Sequence, residues 1–239
     1  MNKKPLLLLL AVVVLLASCS AGFKKKMEVA EGLRHYFEAK NVHVGYKSES
    51  SGSDKKAETT LTFSGVSDKD WDDLGLSMTA GLVAWKFMKE MPEAMLKDET
   101  HVAVVVETTD GAQHEYEFPM EDLREADALL PVTDKAVIAC MKQDRDVLHG
   151  LDSQEYLPDS VLEPVHAYAA QNDSIFAGMN RSPLLRGFRW AAAEDDPALQ
   201  LFCTLYLEEH TRQNVRYDIN VERKTKKVVY LGIHDIDKK

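Results

Sequence analysis

Apolar positions along this chain change their period several times, and each change marks an element. An apolar run from Leu6 to Leu16 follows Lys3 and Lys4. Val29, Leu33, Tyr36 and Phe37 then recur at helical spacing. Val42–Tyr46 and Thr59–Phe63 alternate as strands do, and Ser48–Lys56 between them has no apolar residue and reads as a hairpin loop. Ser67 and Asp70 look like a capping pair for a helix carrying Trp71, Leu74, Met78, Leu82, Trp85 and Met88, with Pro92 just past its end. His101–Glu107 and Ala112–Phe118 flank Asp110-Gly111, the sharpest hairpin signal in the chain. Glu121 to about Pro131 reads as a helical connector, and the domain boundary is placed there.

The second half reverses the balance. Thr133 can cap a helix that puts Val137, Cys140, Met141 and Leu148 on one side. A second helical stretch begins after Asp159, with Val161, Leu162, Val165 and Tyr168. Four strand-like runs follow: Gly187–Ala193, Leu199–Glu209, Asn214–Arg223 and Lys227–Ile233. Leu199, Leu201, Cys203, Leu205 and Leu207 alternate without a break, as do Val215, Tyr217, Ile219 and Val221, so one face of each strand is buried and the other wetter. The expected fold class is α+β: two α+β units, each with helices on an antiparallel or mixed sheet. The second unit is read as a helix pair followed by a four-stranded antiparallel meander. The expected domains are a signal peptide over 1–18, a tether over 19–26, an N-terminal domain over 27–130 and a C-terminal roll over 131–239.

The first 19 residues carry the most specific signal. A basic start, a short apolar run and small residues at a cut are the three parts of a secretory signal. The run is shorter than the roughly 20 apolar residues that a spanning helix needs. Leu16-Ala17-Ser18-Cys19 resembles the lipobox of bacterial lipoproteins. That resemblance implies cleavage before Cys19, diacylglycerol on its thiol and acylation (palmitate, for example) of the new N-terminus, with several chains giving a stable anchor. Ser20, rather than Asp, after the cysteine is compatible with sorting to an outer membrane, if the cell has one. Lys24-Lys25-Lys26 then reads either as a cluster facing anionic lipid or as a solvated tether.

The segment Ala136-Val-Ile-Ala-Cys-Met-Lys-Gln-Asp144-Arg-Asp146-Val-Leu148 is similar to the first helix of the cystatin-like and nuclear-transport-factor-like rolls. The long strands after it come in that fold's order, over about residues 133–236. The resemblance implies a pocket between helix and sheet, a feature that both binding modules and enzymes use.

Charge narrows the partners. The whole chain has 29 Lys and Arg against 39 Asp and Glu, a net −10. Loss of residues 1–18 removes Lys3 and Lys4, leaving 27 against 39 and a net −12. Nucleic acid is disfavoured, because phosphate binding needs a basic footprint. After lipidation, Cys140 and Cys203 remain; an exported protein allows a bridge between them, and two separate buried thiols are the alternative.

Candidate chemistry is sparse. No Gly-x-Ser-x-Gly, P-loop, dinucleotide fingerprint or His-Glu-x-x-His occurs. A two-residue Asp110-Gly111 turn would put His114 opposite Glu107, most simply as a cross-strand polar pair. His35, His43 and His101 could converge but lack zinc-site spacing. Asp68, Asp70, Asp72 and Asp73 suit a helix N-terminus better than a calcium loop. Tyr168, Phe188, Trp190 and Tyr206 are the candidate pocket residues, with Asp144 and His166 as further polar groups facing in, and core packing is the plain alternative. No catalytic set, metal or cofactor is expected. The balance favours a membrane-anchored binding or assembly module of the cell envelope, partnered by the membrane and by an envelope protein or a small apolar ligand. The alternatives are an enzyme using the C-terminal pocket and a structural envelope subunit with an exposed apolar sheet face.

Overall fold

The computed structural model describes residues 22–51, 54–67, 71–151, 158–171, 184–191, 198–206 and 214–236. The chain is mixed α+β and divides into two units. The first takes the chain up to Trp71 together with Val83–Glu121, and the second takes Asp72–Leu82 together with the chain from Asp122 onward.

In the first unit, helix α1 (residues 22–33) runs into a 3-10 turn at Arg34–Phe37. Strands β1 (Asn41–Ser51), β2 (Asp54–Val66), β3 (His101–Thr108) and β4 (Gln113–Pro119) form one sheet in that order. β1 and β2 are antiparallel, β2 and β3 parallel, β3 and β4 antiparallel. A parallel pair needs a crossover. Helices α2 (Asp73–Glu90) and α3 (Glu93–Leu96) lie between β2 and β3 in the sequence. Every residue from Val102 to Val106 is buried, as expected of an inner strand covered on both faces. Val29, Leu33, Phe37, Leu61, Phe63, Phe87 and Val104 belong to this unit's buried set. Phe37 stacks on Phe63 at 5.1 Å and on Trp71 at 5.8 Å.

Several local expectations are corrected here. The polar stretch expected as a loop is ladder over Ser48–Ser51 and Asp54–Lys56: β1 and β2 stay paired down to Ser51 opposite Asp54. A stretch without apolar residues can still pair through its backbone, because the ladder bonds are made by N–H and C=O groups whatever the side chain. Asp72, not Ser67 with Asp70, caps α2, its carboxylate accepting from the Gly75 amide at 2.6 Å. Asp70 and Asp68 lie outside the described residues. The turn closed by the Thr108 amide donating to the Ala112 carbonyl at 2.9 Å holds three residues, Thr109, Asp110 and Gly111, rather than two, so Glu107 pairs with Gln113 and Val106 with His114. Gly111 takes φ +91° there, and Asp110 accepts from the Thr108 hydroxyl at 2.5 Å and the Ala112 amide at 3.0 Å. That one extra residue puts His114 and Glu107 on opposite faces of the sheet.

In the second unit, α4 (Met120–Met141) is one continuous helix with Pro131 inside it. The sequence suggests a connector ending at Pro131 and a new helix capped by Thr133. Instead Pro131 sits on the exposed side, and the buried Thr133 hydroxyl donates to the Leu130 carbonyl at 2.7 Å. Leu123, Ala126, Leu129, Thr133, Ala136, Val137 and Cys140 form the buried stripe of this helix. α5 (Arg145–Leu151) and α6 (Asp159–Gln171) follow. Strands β5 (Leu184–Ala191), β6 (Ala198–Tyr206), β7 (Asn214–Glu222) and β8 (Val228–Ile236) make a second sheet, in sequence order, with each neighbouring pair antiparallel. Arg223, just past β7, clamps the start of α4: its guanidinium donates at 2.6 Å to Glu125 and at 2.6 Å to Asp122.

Candidate functional site

The alternation along β7 puts Tyr217, Ile219 and Val221 on one buried face. Phe188 of β5 pairs through β6 to Ile219 and shares that face. Tyr217 is fully buried, and its titratable neighbours are Cys140 of α4 and Tyr168 of α6. Both helices therefore lie on the Tyr217 side of the sheet. Burial pushes the Tyr217 hydroxyl far above its ordinary pKa, so it is neutral and able to donate. That hydroxyl has no hydrogen-bond partner among the described residues. A buried polar atom left unpaired costs about 1–3 kcal/mol.

Burial also pushes the Cys140 thiol up, to about 12. It is a free thiol in an apolar setting and is protonated at neutral pH. Since the thiolate is the reactive form, a thiol-specific reagent is expected to leave Cys140 unmodified in the folded protein and to modify it on unfolding. Peptide mass mapping before and after denaturant checks this; modification in the native state would show that the face around Tyr217 is open.

A second polar group joins α5 and α6. His149 lies 3.3 Å from Asp159, and Arg145 lies 3.5 Å from Glu163. His166 is buried, and its Nδ1 has no hydrogen-bond partner among the described residues. Burial first, and then the charge of Arg145, hold its pKa below the ordinary histidine value, so it is neutral at pH 7. No group of three His, Cys, Asp or Glu among the described residues could hold a metal ion.

The candidate pocket residues are thus placed in part. Phe188 is buried beside the Tyr217 row and Tyr168 is half-buried near it. The side chains of Trp190, Tyr206 and Cys203 lie outside the described residues. Asp144 is exposed and caps α5, its carboxylate accepting from the Val147 amide at 3.1 Å, so it does not face inward. His166 is buried on α6, with Arg145 and His149 of α5 among the charged and titratable groups around it. The three N-terminal histidines do not converge. His35 bonds the Gly32 carbonyl at 2.8 Å, His43 is exposed, and His101 lies 2.9 Å from the Thr100 hydroxyl and 3.5 Å from Glu117.

The sequence reading missed Tyr217 as a polar group, because it stands in an ordinary alternating run. It also missed Lys26. The expected tether becomes helix from residue 22, and Lys26 is turned into the protein rather than toward lipid or solvent. Its ammonium donates to the Thr59 hydroxyl at 2.8 Å and to the Glu99 carboxylate. Lys25 pairs with Glu28 at 3.1 Å, and Lys24 is exposed.

No family model, curated protein or solved structure matches the chain. Its functional reading therefore rests on its own residues. Among the described residues no helix is long and apolar enough to cross a membrane.

Proposed function

We propose that this protein is an exported lipoprotein, held at a membrane surface by lipid on Cys19, whose second unit is a binding module for a small, mainly apolar ligand. The anchor reading is supported by Leu16-Ala17-Ser18-Cys19 at the right distance from a basic start and an apolar run. An outer membrane is the expected site where the cell has one. The second unit is read as a roll of the cystatin-like or nuclear-transport-factor-like kind, with a ligand held between its helices and its sheet.

The observation that carries the binding reading is the Tyr217 hydroxyl. It is a neutral donor, fully buried and unpartnered among the described residues, beside a protonated thiol and apolar side chains. Apolar walls with one fixed polar group suit recognition of an apolar molecule bearing a single acceptor. They offer less to an enzyme, which needs ionisable groups tuned near the working pH.

Tyr217→Phe tests this. The full-length lipidated protein and the variant are purified from membranes and compared by native mass spectrometry and thermal melting. The wild type is expected to retain a small molecule that the variant loses. Freed of ligand, the variant is expected to be more stable than the empty wild type by about 1 kcal/mol, because an unpaired buried hydroxyl has gone. A wild type that carries nothing, with a variant of equal stability, would overturn the reading and move the function to assembly with another envelope protein.

A further inference from the structure

We infer that the first turn of α1 and the ring of Tyr46 form the surface through which the anchored protein rests on the lipid bilayer, in a fixed orientation. This inference rests on the reading of Cys19 as the lipidated residue. Two residues, Ser20 and Ala21, separate Cys19 from Gly22, where the helix begins, so Cys19, Ser20 and Ala21 make the three-residue lead into it. Fully extended, they span at most about 11 Å. The headgroup layer on each side of a bilayer is about 5–8 Å deep. Acyl chains on Cys19 therefore bring the start of α1 to the headgroups or just outside them.

The side chains there suit that position. Phe23 is 46% exposed and Tyr46 is 54% exposed, two of the few large hydrophobic side chains left open among the described residues. Each is linked to Lys26. Phe23 lies one turn before Lys26 on the same side of the helix. The Lys26 ammonium in turn lies 4.7 Å from the centre of the Tyr46 ring. Tyrosine is enriched at the level of lipid headgroups, and phenylalanine is common on the apolar side of helices that lie at a membrane interface. Lys24, exposed beside Phe23, adds a positive charge for anionic headgroups, worth about 1 kcal/mol near the surface.

The orientation is fixed because the anchor-bearing helix cannot swivel on its sheet. Lys26, seven residues after Cys19, is held by Thr59 of β2 and by Glu99, just before β3, and both partners are buried. A long tether would leave the body free to tumble; three residues leading into a helix pinned within its first two turns leave it little freedom.

The test uses the full chain, expressed with its lipid and reconstituted into vesicles of phosphatidylethanolamine and phosphatidylglycerol. Phe23→Trp and Tyr46→Trp each add a fluorophore to the natural background of Trp71, Trp85 and Trp190. Lipids brominated near the glycerol end of the chain quench indole groups at headgroup depth. Intact mass reports whether Cys19 carries lipid. On lipidated protein, the added emission of both variants is expected to shift to the blue and to be lost with brominated lipid, and both effects are expected to vanish in a Cys19→Ser background. Lipidated protein whose added emission keeps its wavelength and intensity overturns the docking surface and leaves the anchor standing. An intact mass without lipid on Cys19 overturns both.

Discussion

Lys26→Met is expected to destabilise the first unit by about 3–5 kcal/mol, the range for breaking a buried ion pair from one side. The pair is deep: the side chain of Lys26 is 11% exposed and that of Glu99 is 4% exposed. One carboxylate oxygen of Glu99 meets the ammonium, and the other is buried without a hydrogen-bond partner among the described residues. Removing the lysine leaves a desolvated carboxylate with no counter-charge. The protein must then protonate it, admit water or let α1 lift from the sheet. Replacing both partners, as in Lys26→Met with Glu99→Leu, removes charge and burial cost together, and most of the lost stability is expected to return. Urea unfolding of the wild type, the single variant and the double variant measures this. If the single and double variants unfold at the same urea concentration, the pair is not the cause and the helix is held by its apolar face alone.

This pair also limits how far sequence can be read. Val29 and Leu33 announce the helix, and both are buried as their spacing requires. Nothing in Lys24-Lys25-Lys26 says which lysine turns inward, because that depends on Glu99, far along the chain and just before β3. The order of helices and strands was legible because it is written in local period. Where local period misleads, the outcome turns on a partner or a geometric detail that period does not encode. The extra residue in the Asp110-Gly111 loop moved His114 to the other face from Glu107. Pro131 looks like a helix break, but α4 runs through it with its proline on the exposed side. Tyr217 was legible as a core position of β7. Its significance as a site comes from the hydrogen bond it does not make, and alternation carries no information on that.

The same dependence on a distant partner makes Gly187→Ala the second large effect, expected at about 2–3 kcal/mol of destabilisation. Gly187 follows an irregularity in the register of β5, and a methyl group added there would meet α2. It would lie 2.8 Å from the Met78 Cβ and 2.9 Å from both the carbonyl carbon and oxygen of Met78. Two of these three atoms belong to helix backbone, which cannot rotate away as a side-chain tip can. The strand or the helix must move, in an interior packed as tightly as an organic crystal. Gly150→Ala is the matched control, because Gly150 lies in α5 and nothing stands within 4 Å of its added methyl. That change is expected to stabilise by about 0.5–1 kcal/mol through the better helix propensity of alanine. Opposite shifts of the two variants in urea unfolding would show that Gly187 is required for close approach and not for flexibility. If both variants gain stability, β5 and α2 are not in backbone contact at Met78.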